Sequence, residues 1–170
     1  MNDACWMPEL IPYEGYDCWA TYEEILYKIF RNHFIDNYTY FKNRKVKIRF
    51  HPIMNGKEEA FYHVTCNDYL KTGDRQPDLR RCERIKWVKA YIENYNCNSL
   101  LCESCDGIRI WEEPYKSNSR IHILSEKERY IVVIEKRESY YLLITAHYLE
   151  QDHTIRKKLK RYNKAKNALN

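Results

Sequence analysis

Glycine is scarce in this chain, four residues in 170. No glycine-rich loop is therefore present to cradle a phosphate, which argues against a nucleotide-cofactor enzyme. No apolar run approaches the roughly 20 residues that cross a bilayer, and the start Met1-Asn-Asp-Ala-Cys-Trp6 lacks the basic-then-apolar order of a secretory leader. Cysteine is present, but its seven copies are an odd number. That count does not close a disulfide framework, so a reduced, cytoplasmic protein with free thiols and no membrane partner is expected. Acid is missing from the C-terminal stretch: Arg156 to Lys166 holds seven basic residues and no Asp or Glu.

That localised charge accounts for the net +5 of the chain, because the remainder is slightly acidic. A concentrated basic segment favours a surface that binds polyanions over general solubility. Sixteen tyrosines and four tryptophans make the chain unusually aromatic, and such rings either fill cores or stack on bases. The length suits one compact unit, with residues 1–44 as an N-terminal helical extension and 45–170 as the main domain.

Thr21-Tyr-Glu-Glu24 has the form of a capping box, and Ile25, Leu26, Ile29, Phe30 and Phe34 follow at helical spacing, so a helix is expected over Thr21 to Phe34. Lys45 to His51 alternates strictly. Pro52 ends that strand, Asn55-Gly56 reads as a turn, and Ala60 to Cys66 reads as the returning strand, carrying His63. After a loop over 72–77, Asp78 caps a helix that runs to about Tyr95. Its core stripe is Cys82, Ile85, Val88, Ile92 and Tyr95, with Arg80, Arg84, Trp87 and Tyr91 along a flank. Arg81 falls in the apolar arc, where a guanidinium must meet a carboxylate or point into a site.

Shorter strands are expected at Ser99 to Glu103, Ile108 to Glu112 and Arg120 to Leu124. A long hairpin then joins Tyr130-Ile-Val-Val-Ile134 to Tyr140-Tyr-Leu-Leu-Ile-Thr-Ala-His147. Strict alternation places Tyr141, Leu143, Thr145 and His147 on one face of the last strand, and Leu142, Ile144 and Ala146 on the other. A basic helical segment with Ile155, Leu159 and Tyr162 closes the chain. The class is α+β, N-terminal helices packed on a twisted antiparallel sheet with a basic C-terminal helix.

Cys97, Cys102 and Cys105 have metal-like spacing, and Cys82, His63 or His122 would have to complete a zinc site. Small buried thiols are an equally ordinary outcome for such residues. The acidic pairs Glu112-Glu113 and Asp74/Asp78 have no spacing that singles out a divalent ion. No metal or cofactor is assigned.

The more telling set is His63, Arg81, Arg84, Thr145 and His147. Metal-independent RNA cleavage needs a base for the 2′-hydroxyl, an acid for the leaving 5′-oxygen, and donors for the crowded phosphorane. Imidazoles suit the proton transfers and arginines grip phosphate oxygens. The RNA contacts fall to Arg80, Trp87, Tyr148, Arg156, Lys157, Lys158, Lys160 and Arg161. Each of these residues also has an ordinary structural reading, as a solvated face or a hydrogen-bonded strand residue.

Several motifs carry a resemblance: Arg49-Phe-His-Pro52, Asn55-Gly-Lys57, Phe61-Tyr-His-Val64, the run from Arg75 through Pro77-Asp78, Arg81 and Arg84-Ile85 to Trp87, and Tyr141 to Tyr148. In this order they resemble phage-associated small nucleases of the barnase–EndoU–colicin–RelE superfamily, over roughly residues 45 to 165. The resemblance implies a metal-independent endoribonuclease, a toxin or phage-defence effector held silent by an antitoxin or immunity protein. It implies RNA across a sheet of about four strands, with His63 as acid or base, Arg81 or Arg84 as phosphate clamp, Thr145 orienting the phosphate and His147 as the second acid or base. The other reading is a noncatalytic RNA- or protein-binding module of a phage or mobile element.

Overall fold

The computed structural model describes residues 5–67, 75–98 and 106–170. Helix α1, Trp19–Phe34, buries Tyr22, Leu26, Phe30 and Phe34, a strict four-residue stripe. It begins earlier than the capping-box reading. Cys18 is the N-cap without a side-chain cap bond, and the two extra residues are held as the Trp19 indole donates to Glu23 at 3.0 Å and its ring meets Tyr22.

Strands β1, Thr39–Phe41, and β2, Arg44–Lys47, form a tight hairpin whose turn residues Lys42 and Asn43 take positive φ. The expected return strand is instead helix α2, Glu59–Thr65. Ala60, Phe61, Tyr62, Val64 and Thr65 are all buried, so alternation carried no information there. Tertiary packing decided the conformation: Phe61 sits edge-on to Tyr27 and Phe30, with ring centroids 5.2 and 5.6 Å apart. The Asn55-Gly56 turn does form, closed by a bridge between Met54 and Lys57.

Two residues each of β3, Cys66–Asn67, and β4, Gln76–Pro77, pair beside it. Asp78 then caps as expected, its carboxylate accepting from the Arg80 and Arg81 amides. The single expected helix is two, α3, Leu79–Cys82, and α4, Ile85–Glu93. Past the break, Trp87 and Tyr91 face the core, where both pack edge-on against buried Tyr130.

The main sheet has six strands in the order β1-β2-β8-β7-β6-β5, with β5 Arg109–Tyr115, β6 Asn118–Ser125, β7 Tyr130–Lys136 and β8 Tyr141–Tyr148. It is antiparallel except where β2 runs parallel to β8, pairing Val46 with Tyr141 and Lys47 with Leu142. Helix α5, Asp152–Ala168, ends the chain. Tyr130, Val132 and Ile134 join the large core with α1, α2 and α4, while Ile131 and Val133 join a smaller cluster with Ile155 of α5. The helix α1 and strand β1 share that large core and sheet with residues beyond 45.

A bulge corrects the expected faces of β8. Val133 pairs with Thr145 and Ile134 with Leu143, so Ile144 is the extra residue. Tyr141 and Leu143 therefore lie in the large core, whereas Thr145 and His147 lie opposite Val133 and Ile131, on the α5 side. Among the described residues, no helix is long and apolar enough to cross a membrane. Cys102, Cys105, Asp74 and the strand expected at Ser99 to Glu103 lie outside the described residues.

Candidate functional site

Strand β2 pairs with only the first two residues of β8, so the outer edge of β8 from Leu143 onward carries no strand among the described residues. Helices α2 and α3 pack there instead. This arrangement sets α2, whose last turn bears His63, and α3, which bears Arg80 and Arg81, against β8, on which Thr145 and His147 face α5.

The His63 Nε2 atom lies 2.8 Å from an Arg75 guanidinium nitrogen and 3.2 Å from Glu59 Oε1. A guanidinium only donates, so the short contact makes Nε2 the lone-pair side of a neutral imidazole. Burial and the Arg75 charge both push the His63 pKa below its ordinary value, while the Glu59 bond opposes them. The ring is thus neutral at pH 7 and faces a carboxylate that would receive it once protonated.

Arg81 donates from Nη1 to the His63 carbonyl at 2.9 Å, with its Nε 3.7 Å from Asp78. Its charge also reaches His147, whose pKa falls to about 3 through burial first, then Arg81 and Lys158. Thr145 Oγ1 lies 3.5 Å from His147 Nδ1. His147 is therefore a neutral imidazole rather than an imidazolium at neutral pH, which argues against it as the second acid. Among the described residues, no hydrogen bond joins the His63 ring to Thr145 or His147; Arg81 is the link between them.

Three guanidiniums surround the Tyr148 ring: Arg80 at 4.4 Å, Arg84 at 4.8 Å and Arg129 at 5.9 Å. Arg84 also meets the Glu83 carboxylate, and Arg129 pairs with Asp152 at 2.8 Å. Arg80 is exposed and has no acidic partner among the described residues.

Two expected RNA contacts are corrected. Trp87 is 4% exposed, and its indole donates to the Pro8 carbonyl at 2.8 Å, so it offers no free face to a base. Lys158 turns inward toward His122 and His147, and burial lowers its pKa. Arg156, Lys157, Lys160 and Arg161 are exposed on the outer side of α5.

Glu59, Arg75 and Arg129 were missed from sequence. Glu59 stands four residues before His63, a spacing that has meaning only on a helix. Arg75 opens one of the motifs that carry the resemblance but was given no site role, and Arg129 gave no local signal. Among the described residues, no cluster of His, Cys, Asp and Glu is placed to hold a metal ion. Compared with family models, with curated proteins and with solved structures, the chain matches none of them.

Proposed function

We propose that this protein is a metal-independent endoribonuclease, a nuclease of the superfamily its motifs resemble, acting as a toxin or phage-defence effector restrained by an inhibitor protein. The observation that carries the reading is His63, a neutral imidazole whose Nε2 lone pair lies 2.8 Å from Arg75. A phosphate drawn to Arg75 takes over its donors, which frees that lone pair for the neighbouring 2′-hydroxyl. Nε2 takes the hydroxyl proton, the 2′-oxygen bonds to phosphorus, and the bond to the 5′-oxygen breaks. A 2′,3′-cyclic phosphate and a 5′-hydroxyl result, the departing oxygen taking its proton from water.

Glu59 stabilises the imidazolium formed in that step, and Arg75 with Arg81 balances charge on the non-bridging oxygens. Thr145 orients the phosphate through its hydroxyl, and Arg84 adds a further cation. The Arg80, Arg84 and Tyr148 ledge and the outer residues of α5 hold the flanking backbone. The localisation that fits such an effector is the cytoplasm.

A noncatalytic RNA-binding module is the second reading. It is favoured by the weak basicity of His147 and by the guanidiniums gathered at Tyr148. Incubating the folded protein with total RNA and EDTA separates the two. The enzyme yields 2′,3′-cyclic phosphate ends, and His63→Ala loses about two to four orders of magnitude in rate. Folded wild-type protein that binds RNA and leaves it intact supports the binding module instead.

A further inference from the structure

On the far side of the sheet, β5 is the terminal strand, and no strand pairs with its outer edge among the described residues. Beside it, the C-terminal half of α5 leaves a groove of about 760 Å³. Its walls are apolar, with Ile110 and Pro114 from β5 and Ala165 and Leu169 from α5, the last 89% exposed. Its rim is cationic, formed by Arg161, Lys164 and Lys166.

The acids at the groove are already engaged. Glu113 accepts from the Trp111 indole at 2.7 Å and lies 3.6 Å from both His122 and Arg161. Glu112 accepts from the Ser119 hydroxyl and lies 3.9 Å from Lys136. Lys164 and Lys166 have no acidic partner among the described residues; Lys166 stands 5.9 Å over the Tyr162 ring. Just before β5, Gly107 bridges Asn98 and the Ile108 amide donates to the Cys97 carbonyl. From Arg109 onward the groove combines, among the described residues, a strand edge without a strand partner, an apolar wall and two lysines without an acidic partner.

We propose that this groove is a docking site for an extended acidic segment of a protein partner. Such a segment adds to the β5 edge over Arg109 to Glu113, short of Pro114, which has no amide hydrogen to offer. Its alternate side chains then divide between the apolar wall and the lysine rim. A second copy of this chain fits poorly: antiparallel pairing of two β5 strands about their centres sets Glu112 against Glu112 and brings two basic helices together. RNA fits poorly too, because an apolar wall offers the sugar–phosphate backbone no hydrogen bonds. The proposal stands whether or not the protein cleaves RNA.

The probe is an acetylated peptide, Glu-Leu-Glu-Val-Glu-Leu-Glu, followed by fluorescence anisotropy and by the methyl resonances of Ala165, Ala168 and Leu169. Saturable binding that shifts those methyls and weakens with salt is expected. The double variant Lys164→Glu/Lys166→Glu changes exposed positions between residues of similar helix propensity, so its fold is retained, and it should bind about tenfold more weakly. The proposal is overturned by a peptide that fails to saturate into the millimolar range, or by a lysine-for-glutamate peptide that binds equally well. It is also overturned if oligouridylate moves the same methyls more strongly, or if they shift with protein concentration alone.

Discussion

Arg81 Nη1 donates to the carbonyl oxygen of His63 across 2.9 Å. That carbonyl belongs to the last turn of α2, where backbone acceptors lack a partner within the helix. One guanidinium therefore closes the end of α2, anchors α3 to it and, with Lys158, adds to the burial that lowers the His147 pKa. Among the described residues the two imidazoles make no direct contact; Arg81 is bonded to the His63 carbonyl and, with Lys158, adds positive charge near His147.

Removing that cation should be visible at a distance. In Arg81→Gln the His147 pKa rises, because a like charge has gone while burial remains. An NMR titration of the His147 ring reads this, and an unmoved midpoint would detach Arg81 from His147. The loss of the bond to His63 should also cost about 1.5–3 kcal/mol of stability.

For His63 the sign follows from its neighbours. Burial and Arg75 lower its pKa below 6.5, so the base is unprotonated at neutrality. Cleavage should rise with pH through an acidic midpoint and level off before neutrality. Arg75→Ala moves that midpoint up, and Glu59→Gln moves it down. A pH–rate profile indifferent to both substitutions would exclude His63 as the base.

His122, which is 6% exposed and stacked on Trp111 at 4.8 Å, is one of several buried histidines, with His33 and His147, that weaken the fold in acid. Burial first, then Lys158, lowers its pKa from 6.5; Arg161 and Arg120 act in the same direction and Glu113 opposes. The folded state thus binds fewer protons than the unfolded chain below pH 6.5, and stability falls as pH falls through that range. Urea midpoints measured from neutral to acidic pH should decline, and less steeply in His122→Phe.

The location of Trp87 separates packing from recognition. Trp87→Phe keeps most of the apolar volume and loses the bond to Pro8, so it should cost about 1 kcal/mol. RNA affinity measured on the folded variant should be unchanged. A selective fall in affinity at full stability would return Trp87 to the RNA surface.

Helix α5 divides along its length into a packing side and a charged side. Ile155 is 7% exposed in the smaller cluster, so Ile155→Ala should lower stability by about 2–5 kcal/mol. Lys157→Gln with Lys160→Gln should leave stability alone and weaken RNA binding. The salt slope should also shrink by about one for each phosphate that is no longer neutralised. Equal salt slopes in wild type and variant would take these lysines off the RNA surface.

Elements whose pattern is local were legible from the chain alone. The stripe of α1, the Asp78 cap, the Asn55-Gly56 turn and the β7–β8 hairpin need only periodicity or one capping carboxylate, and these are found. So is an α+β arrangement with a mostly antiparallel sheet. That Ala60 to Thr65 is helical came from packing, because a segment buried on nearly every side carries no period. Packing likewise placed a bulge at Ile144 that turns Thr145 and His147 toward α5, and brought Arg75, 12 residues on, to His63 as its hydrogen-bond donor. Long-range packing and electrostatics depend on which surfaces meet, and no window of neighbouring residues contains that.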